Sequence, residues 1–195
     1  IKKEEVKEKA QDVTAIKSIN VTNMRKVRTN QEATPRIYDI ENFDFTYAFT
    51  EIDMRSPIIE DETLKRHKFA LGYNYSPKTT YIQPFKSIKN NHKYLRPIKE
   101  FNFNPKPNSI SFRSDINRQF GSSLIRDIGD DGLELEPTFN KYFTWERFYT
   151  YKHNLTKSLN IDFVATNRSR IDEPFGFIDT DAKRDTLRRN FWDFG

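Results

Sequence analysis

Histidine is the side chain best suited to proton transfer or metal binding near neutral pH, and this chain has 3 of them. His67, His92 and His153 lie far apart and share no ligand spacing, so each reads as an ordinary polar residue. The acidic cluster Glu60-Asp61-Glu62 and the pair Asp172-Glu173 contain the residue types of a general acid and base. Adjacent residues on a strand point to opposite faces, so these carboxylates do not converge on one substrate atom. The run Asp127–Gly132, reading DIGDDG, has the composition of a calcium loop. Gly129 nevertheless occupies the third position, where an oxygen ligand is required, and no glutamate closes the loop at the twelfth. A solvated turn is expected there. Cysteine is absent, which removes disulfides and thiolate metal sites, and no GxSxG, HExxH, GxGxxG or P-loop occurs. The residues predict no enzyme, no metal and no cofactor.

The elements that would position these residues must come from an unusual composition. The chain of 195 residues is 35% hydrophobic yet 14% aromatic, with 17 Phe and 9 Tyr against 6 Gly and 2 Met. Few aliphatics and many rings, at a mean hydropathy of −0.85, fit strands that are apolar on one face and wet on the other. Disordered chains are poor in aromatics, so disorder is set aside for most of the length. The net charge of +5 arises from 33 basic and 28 acidic residues with no long basic block. The basic residues sit mainly in loops and not among the aromatics, so no nucleic-acid partner is expected. No apolar stretch approaches the ~20 residues of a membrane helix, so any membrane crossing would be made by strands. The opening IKKEEVKEK carries no signal peptide. The closing Phe191-Trp192-Asp193-Phe194-Gly195 reads as the start of another strand. Both ends suggest an internal fragment, residues 1–195 being part of one larger domain.

Period-two alternation is the clearest signal. In Glu41–Thr50, Phe43, Phe45, Tyr47 and Phe49 share a face, with Asp44, Thr46, Ala48 and Thr50 opposite. In Lys68–Ser76, Phe69, Leu71, Tyr73 and Tyr75 alternate with Ala70, Gly72, Asn74 and Ser76. Ser109–Phe120 sets Ile110, Phe112 and Ile116 against Ser111, Arg113, Asp115 and Asn117. Phe143–Leu155 and Leu159–Asn167 repeat the scheme, and Ala15–Thr22 does so more weakly. Several of these approach the ~9–11 residues that cross a bilayer obliquely. Helical spacing is confined to residues 1–14, where Val6, Ala10 and Val13 form one apolar stripe, and to Lys86–Phe101, which Pro97 interrupts.

Connections suggest an orientation. Leu155-Thr156-Lys157-Ser158-Leu159 reads as a hairpin turn. Transmembrane barrels keep short turns periplasmic and longer loops outside. With that turn in the periplasm, alternation places Glu51–His67, Gly121–Tyr142 and Arg168–Asn190 as extracellular loops. Pro77–Asn108 then falls in the periplasm, where its length marks it as an insertion.

A soluble antiparallel sandwich alternates too, and from pattern alone it is the stronger reading. Three features favour a transmembrane wall: ring-dominated faces, long loops on alternate ends, and small polar residues opposite the rings. The fold expected is therefore all-β, with antiparallel strands of a large transmembrane β-barrel wall, long loops and a short helical insertion. Phe43, Phe45, Tyr47, Phe49, Phe69, Leu71 and Tyr73 would face lipid. Asp44, Thr46, Asn74, Arg113, Asp115 and Asn117 would face an aqueous lumen. Arg147 conflicts with this scheme because it falls on the ring-bearing face of its strand. It would need an interfacial position beside Trp145, or a protein neighbour. Rival readings are another outer-membrane barrel transporter and a soluble β-sandwich binding module.

Several segments resemble the SprA/Sov family of gliding-motility and type IX secretion proteins. These are KSINVTNMRKVR (Lys17–Arg28), RIYDIENFDFTYAFTE (Arg36–Glu51), YNYSPK (Tyr73–Lys78), FNFNPKPNSISFRSDINRQF (Phe101–Phe120) and FTWERFYTYKHNLTKSLNIDFVATNRSRIDEPFG (Phe143–Gly176). They run in family order over most of the chain from about residue 15 onward. The most specific pieces are YDIEN, with Tyr38, Asp39, Glu41 and Asn42, then SISFR at Ser109–Arg113, and SRIDEP, with Arg170, Asp172, Glu173 and Pro174. The resemblance implies a single-chain outer-membrane barrel on the order of the 36 strands of the largest known. It implies a protein-conducting translocon that exports folded cargo and the adhesins needed for gliding. Its implied partners are the rest of the same barrel, a smaller PorV-type barrel, a periplasmic plug protein, secreted cargo and outer-membrane lipid. No catalytic residue is implied.

Overall fold

Long alternating runs of rings and small polar residues satisfy their backbone only beside other strands, and here they build a single sheet. The computed structural model describes residues 10–29, 34–87, 93–127, 135–177 and 180–192. The fold is all-β. Strands β1 (Val13–Met24), β2 (Phe43–Arg55), β3 (Ile59–Tyr75), β4 (Ser109–Ile125), β5 (Thr138–Asn154) and β6 (Asn160–Asp172) pair antiparallel in chain order. The six-stranded sheet does not close, and β1 and β6 are its edges. Among the described residues two α-helices accompany it: a single turn, α1 (Arg96–Lys99), and α2 (Asp181–Trp192). Pro97 lies in the first turn of α1, where a missing N–H costs nothing, so it starts that helix and does not interrupt one.

Several sequence expectations are corrected. Glu51–His67 is not a loop: Glu51 pairs Lys65 and Asp53 pairs Thr63 in continuous β2–β3 register. The strands reverse over residues 56–58, where Ser56 N–H donates to Ile59 O at 2.9 Å and Ser56 Oγ accepts from Ile59 N–H at 3.0 Å. Gly121–Tyr142 shrinks to a connection over residues 126–137, because β4 and β5 run past both ends of the expected loop. Arg168–Asn190 is part strand and part helix, with β6 reaching Asp172 and α2 beginning at Asp181. Of the expected helix over 1–14, Val13 and Thr14 belong to β1, and residues 1–9 lie outside those described. Phe191 and Trp192 end α2 and do not begin a strand.

The physical reason for the first of these is a change of residue type at constant phase. Beyond Phe49 the period of two continues, but charges replace rings on the same face. Lys17 Nζ lies 3.3 Å from Asp53 and 3.8 Å from Glu51, and Lys65 Nζ lies 3.0 Å from Glu51. Such cross-strand ion pairs stabilise a solvated ladder modestly while leaving its sequence looking like a loop.

The connections at one end are residues 56–58 and 126–137; at the other they are 25–42, 76–108 and 155–159. Each end has a tight turn, so turn length alone does not orient the sheet. The Leu155–Leu159 turn forms as expected, with Thr156 N–H donating to Leu159 O at 3.2 Å.

Candidate functional site: the two faces of the sheet

Residues paired across antiparallel strands point to the same side, so the register assigns every strand residue to a face. Phe43 pairs Tyr73, Phe45 pairs Leu71, Tyr47 pairs Phe69 and Phe49 pairs His67. Tyr73 in turn pairs Phe112, Phe69 pairs Ile116, and Phe112 pairs Tyr149. Phe43, Phe45, Tyr47, Phe49, Phe69, Leu71 and Tyr73 therefore share one continuous face with Phe112, Ile116, Trp145 and Tyr149. Ring centroids lie 5.0 Å apart in Phe43–Tyr73 and in Phe45–Phe69, and 5.1 Å apart in Phe112–Tyr149. These tilted and edge-on contacts are the favoured aromatic geometry.

No second sheet covers that face among the described residues. Tyr75, at 3% exposure, is the only buried hydrophobic residue among them. The rings touch one another sideways and do not form an enclosed core. The described residues do not build a sandwich's pair of packed inner faces.

The opposite face carries Asp44, Thr46, Asn74, Arg113, Asp115 and Asn117, as the alternation predicts. Ser111 Oγ donates to Asn74 Oδ1 at 2.8 Å, and Asn74 Nδ2 donates to Asp44 Oδ1 at 3.3 Å, forming a ladder across three strands. Arg113 Nε lies 2.9 Å from both carboxylate oxygens of Asp115. Arg66, Lys68 and Arg170 line an open hollow with Asn117 and Thr144. This surface is polar and mixed in charge, and the hollow on it is open.

Arg147 stands on the aromatic face, as the sequence indicated. Its guanidinium lies 4.3 Å from the Trp145 ring centroid and donates through Nη2 to Asn167 Oδ1 at 3.1 Å. Trp145 Nε1 donates to the buried Ser114 Oγ at 2.8 Å. Together with Arg118 these residues cut a polar notch into the aromatic surface on β4–β6.

The motif residues organise the sheet's ends. Asp39 accepts from Arg28 Nη2 and from the Arg36 backbone N–H, each at 2.8 Å, and Glu41 lies 3.4 Å from Lys26. Tyr38 Oη receives Arg36 Nη1 at 3.0 Å, while buried Asn42 donates to Arg36 O at 2.7 Å. YDIEN thus folds the 25–42 connection against the start of β2. At the far end Arg170 pairs Asp172 at 2.9 Å and lies 4.6 Å from the Tyr142 ring centroid. Glu173 pairs Arg118, and half-buried Pro174 leads into Phe175 and Phe177, which close over Phe139. These long-range pairings left no signal in the sequence beyond the motifs themselves.

The histidines are structural where they are described. His67 Nδ1 lies 3.2 Å from Tyr47 Oη; His153 bridges Tyr151 Oη and Asn104 O, each at 2.9 Å. His92 and residues 128–134, which hold most of the DIGDDG run, lie outside the described residues. No cluster of metal-ligating side chains occurs among the described residues. The hydrogen bond from Arg96 to Glu100, at 2.9 Å, raises the pKa of that guanidinium above its ordinary value.

No family model matches the chain, and no curated protein sequence matches it.

Proposed function

We propose that this sheet is a section of the wall of a very large outer-membrane β-barrel of the SprA/Sov kind, the channel of type IX secretion. The observation that carries the reading is the broad ring-bearing face with no second sheet packed on it, in a sheet that buries one hydrophobic side chain among its described residues. In water such a face is an aggregation liability; against acyl chains it is the favoured surface. The paired backbones of β2–β5 meet the requirement that every polar group in hydrocarbon has a protein partner. Among the described residues β1 and β6 each lack a neighbour on one side, which supports a wall continuing in both directions over a small barrel closing on these strands.

Strand length supports the same reading. β3, β4 and β5 each have 17 residues, roughly 55 Å at ~3.3 Å per residue, more than a ~30 Å hydrocarbon layer needs even when tilted. On β1–β3 the ring-bearing half lies in the membrane, and the ion-paired half rises out of it on the extracellular side. Connections 25–42, 76–108 and 155–159 then lie in the periplasm. The polar face lines the passage for folded cargo and gliding adhesins, its mixed charge limiting adhesion to any one cargo surface. Partners are the remaining wall, a PorV-type barrel, a periplasmic plug protein and cargo.

Fractionation tests this. The full-length protein should stay with outer membranes through washing and enter solution only with detergent, and residues 1–195 expressed alone should aggregate. A monodisperse 195-residue chain in plain buffer would contradict the proposal.

A further inference from the structure

The 76–108 connection is docked against the ring-bearing side of the sheet. Asn104, 1% exposed, donates its N–H to Leu155 O at 2.8 Å and accepts from the His153 ring at 2.9 Å. His153 pairs Ile161 and continues the series Tyr149, Tyr151, so its ring is on the aromatic face. Asn108 bonds the Lys152 carbonyl and the Asn154 N–H, at 2.9 and 2.6 Å, and donates to Thr79 Oγ1 at 2.8 Å. Ile82 and Phe103 form a bridge that closes the segment. Its root, Ser76 Oγ to Asn108 O at 3.2 Å, lies just beyond the apolar pair Tyr75–Ile110.

The outer surface of this segment combines exposed rings with basic charge. Tyr94 is 91% exposed, and Phe85, Ile98 and Phe101 are also open to solvent. Lys78, Lys86, Lys93, Arg96 and Lys106 are exposed, against the single exposed acid Glu100 among the described residues of the segment. Rings at the edge of an apolar band, followed at once by cations, match the chemistry of a membrane interface with phosphate-bearing headgroups.

We propose that residues 76–87 and 93–108 form an interfacial collar that binds anionic phospholipid headgroups at the rim of the aromatic band. The proposal rests on the membrane-wall reading. The test uses the full-length protein purified in detergent, supplemented with phosphatidylglycerol or phosphatidylcholine, reading retained lipid by mass and the melting temperature. Phosphatidylglycerol should be retained preferentially and should raise the melting temperature. The triple variant K86E/K93E/R96E should lose that preference several-fold while still fractionating with membranes. Equal retention of both lipids, or an unchanged preference in the variant, overturns the collar and leaves the wall intact. Equal stabilisation by inorganic phosphate alone also overturns it, since that reports a simple anion site. A parent protein that is soluble without detergent overturns the wall, and the collar with it.

Discussion

Arg118 binds both carboxylate oxygens of Glu173, with Nε at 2.8 Å from one and Nη2 at 3.2 Å from the other. The pair joins β4 to the segment that follows β6, across the whole width of β5. Glu173 N–H also donates to Lys141 O at 3.2 Å, so the chain turns back over the sheet and brings Phe175 and Phe177 onto Phe139. A fork of this geometry is stronger than an ordinary surface ion pair.

The Glu173 side chain is 4% exposed while that of Arg118 is 50% exposed, so water relieves only one partner when the pair is broken. Glu173→Gln should lower stability by about 1–2 kcal/mol, with the solvation of Arg118 limiting the loss. Arg118→Ala should cost more, because it leaves the buried Glu173 carboxylate unpaired, and the double variant should recover part of that loss. Denaturant unfolding in detergent measures this cycle; strictly additive costs would show that the two residues act independently.

The Asp44 carboxylate lies over the bare α-carbon of Gly72, its cross-strand partner, where a β-carbon would collide with it. Asn74 holds that carboxylate in place at 3.3 Å. Gly72→Ala should therefore destabilise by about 1 kcal/mol or more through crowding. Adding Asp44→Ala should recover most of the loss. Melting temperatures of the two variants check this, and no recovery in the double variant would point to backbone strain.

Arg147 places a charge within the ring-bearing surface, where a lipid-facing cation costs up to about 2–4 kcal/mol at mid-membrane. Its stacking on Trp145 and bond to Asn167 offset part of that cost. Arg147→Met in the membrane-embedded protein should leave stability unchanged or raise it. A loss above about 1 kcal/mol would mean that this notch meets a polar protein neighbour, since a lipid contact would not miss the charge.

Arg113 and Asp115 form an ion pair on the polar face, away from the rings. Replacing both with alanine should alter cargo export while the protein still assembles in the outer membrane. Secreted cargo and membrane-embedded protein, quantified from the same cells, separate the two effects. Lost assembly with normal export per assembled channel would oppose a lumenal role.

The ring-bearing halves of the strands were legible because Phe43 to Phe49 and Phe69 to Tyr75 keep one phase throughout. The charged halves were not, because Glu51, Asp53 and Lys65 continue the same face with ions in place of rings, and polarity then reads as loop. Ser56-Pro57 was a usable turn cue, since serine before proline favours turn initiation. The docking of Asn104 on His153 and the Arg118–Glu173 fork were illegible: each joins residues about fifty positions apart, and no local pattern encodes such a meeting.

The most direct measurement uses the absence of cysteine from these 195 residues, any cysteine elsewhere in the full-length protein being replaced by serine. Single cysteines placed in turn at residues 43–50 of the reconstituted protein can carry nitroxide labels, whose collisions with oxygen and with a water-soluble nickel complex are then compared. Labels at 43, 45, 47 and 49 should favour oxygen, which concentrates in acyl chains, and those at 44, 46, 48 and 50 should favour nickel. Odd positions as open to nickel as the even ones, or shielded from both reagents, would contradict a lipid-facing aromatic surface.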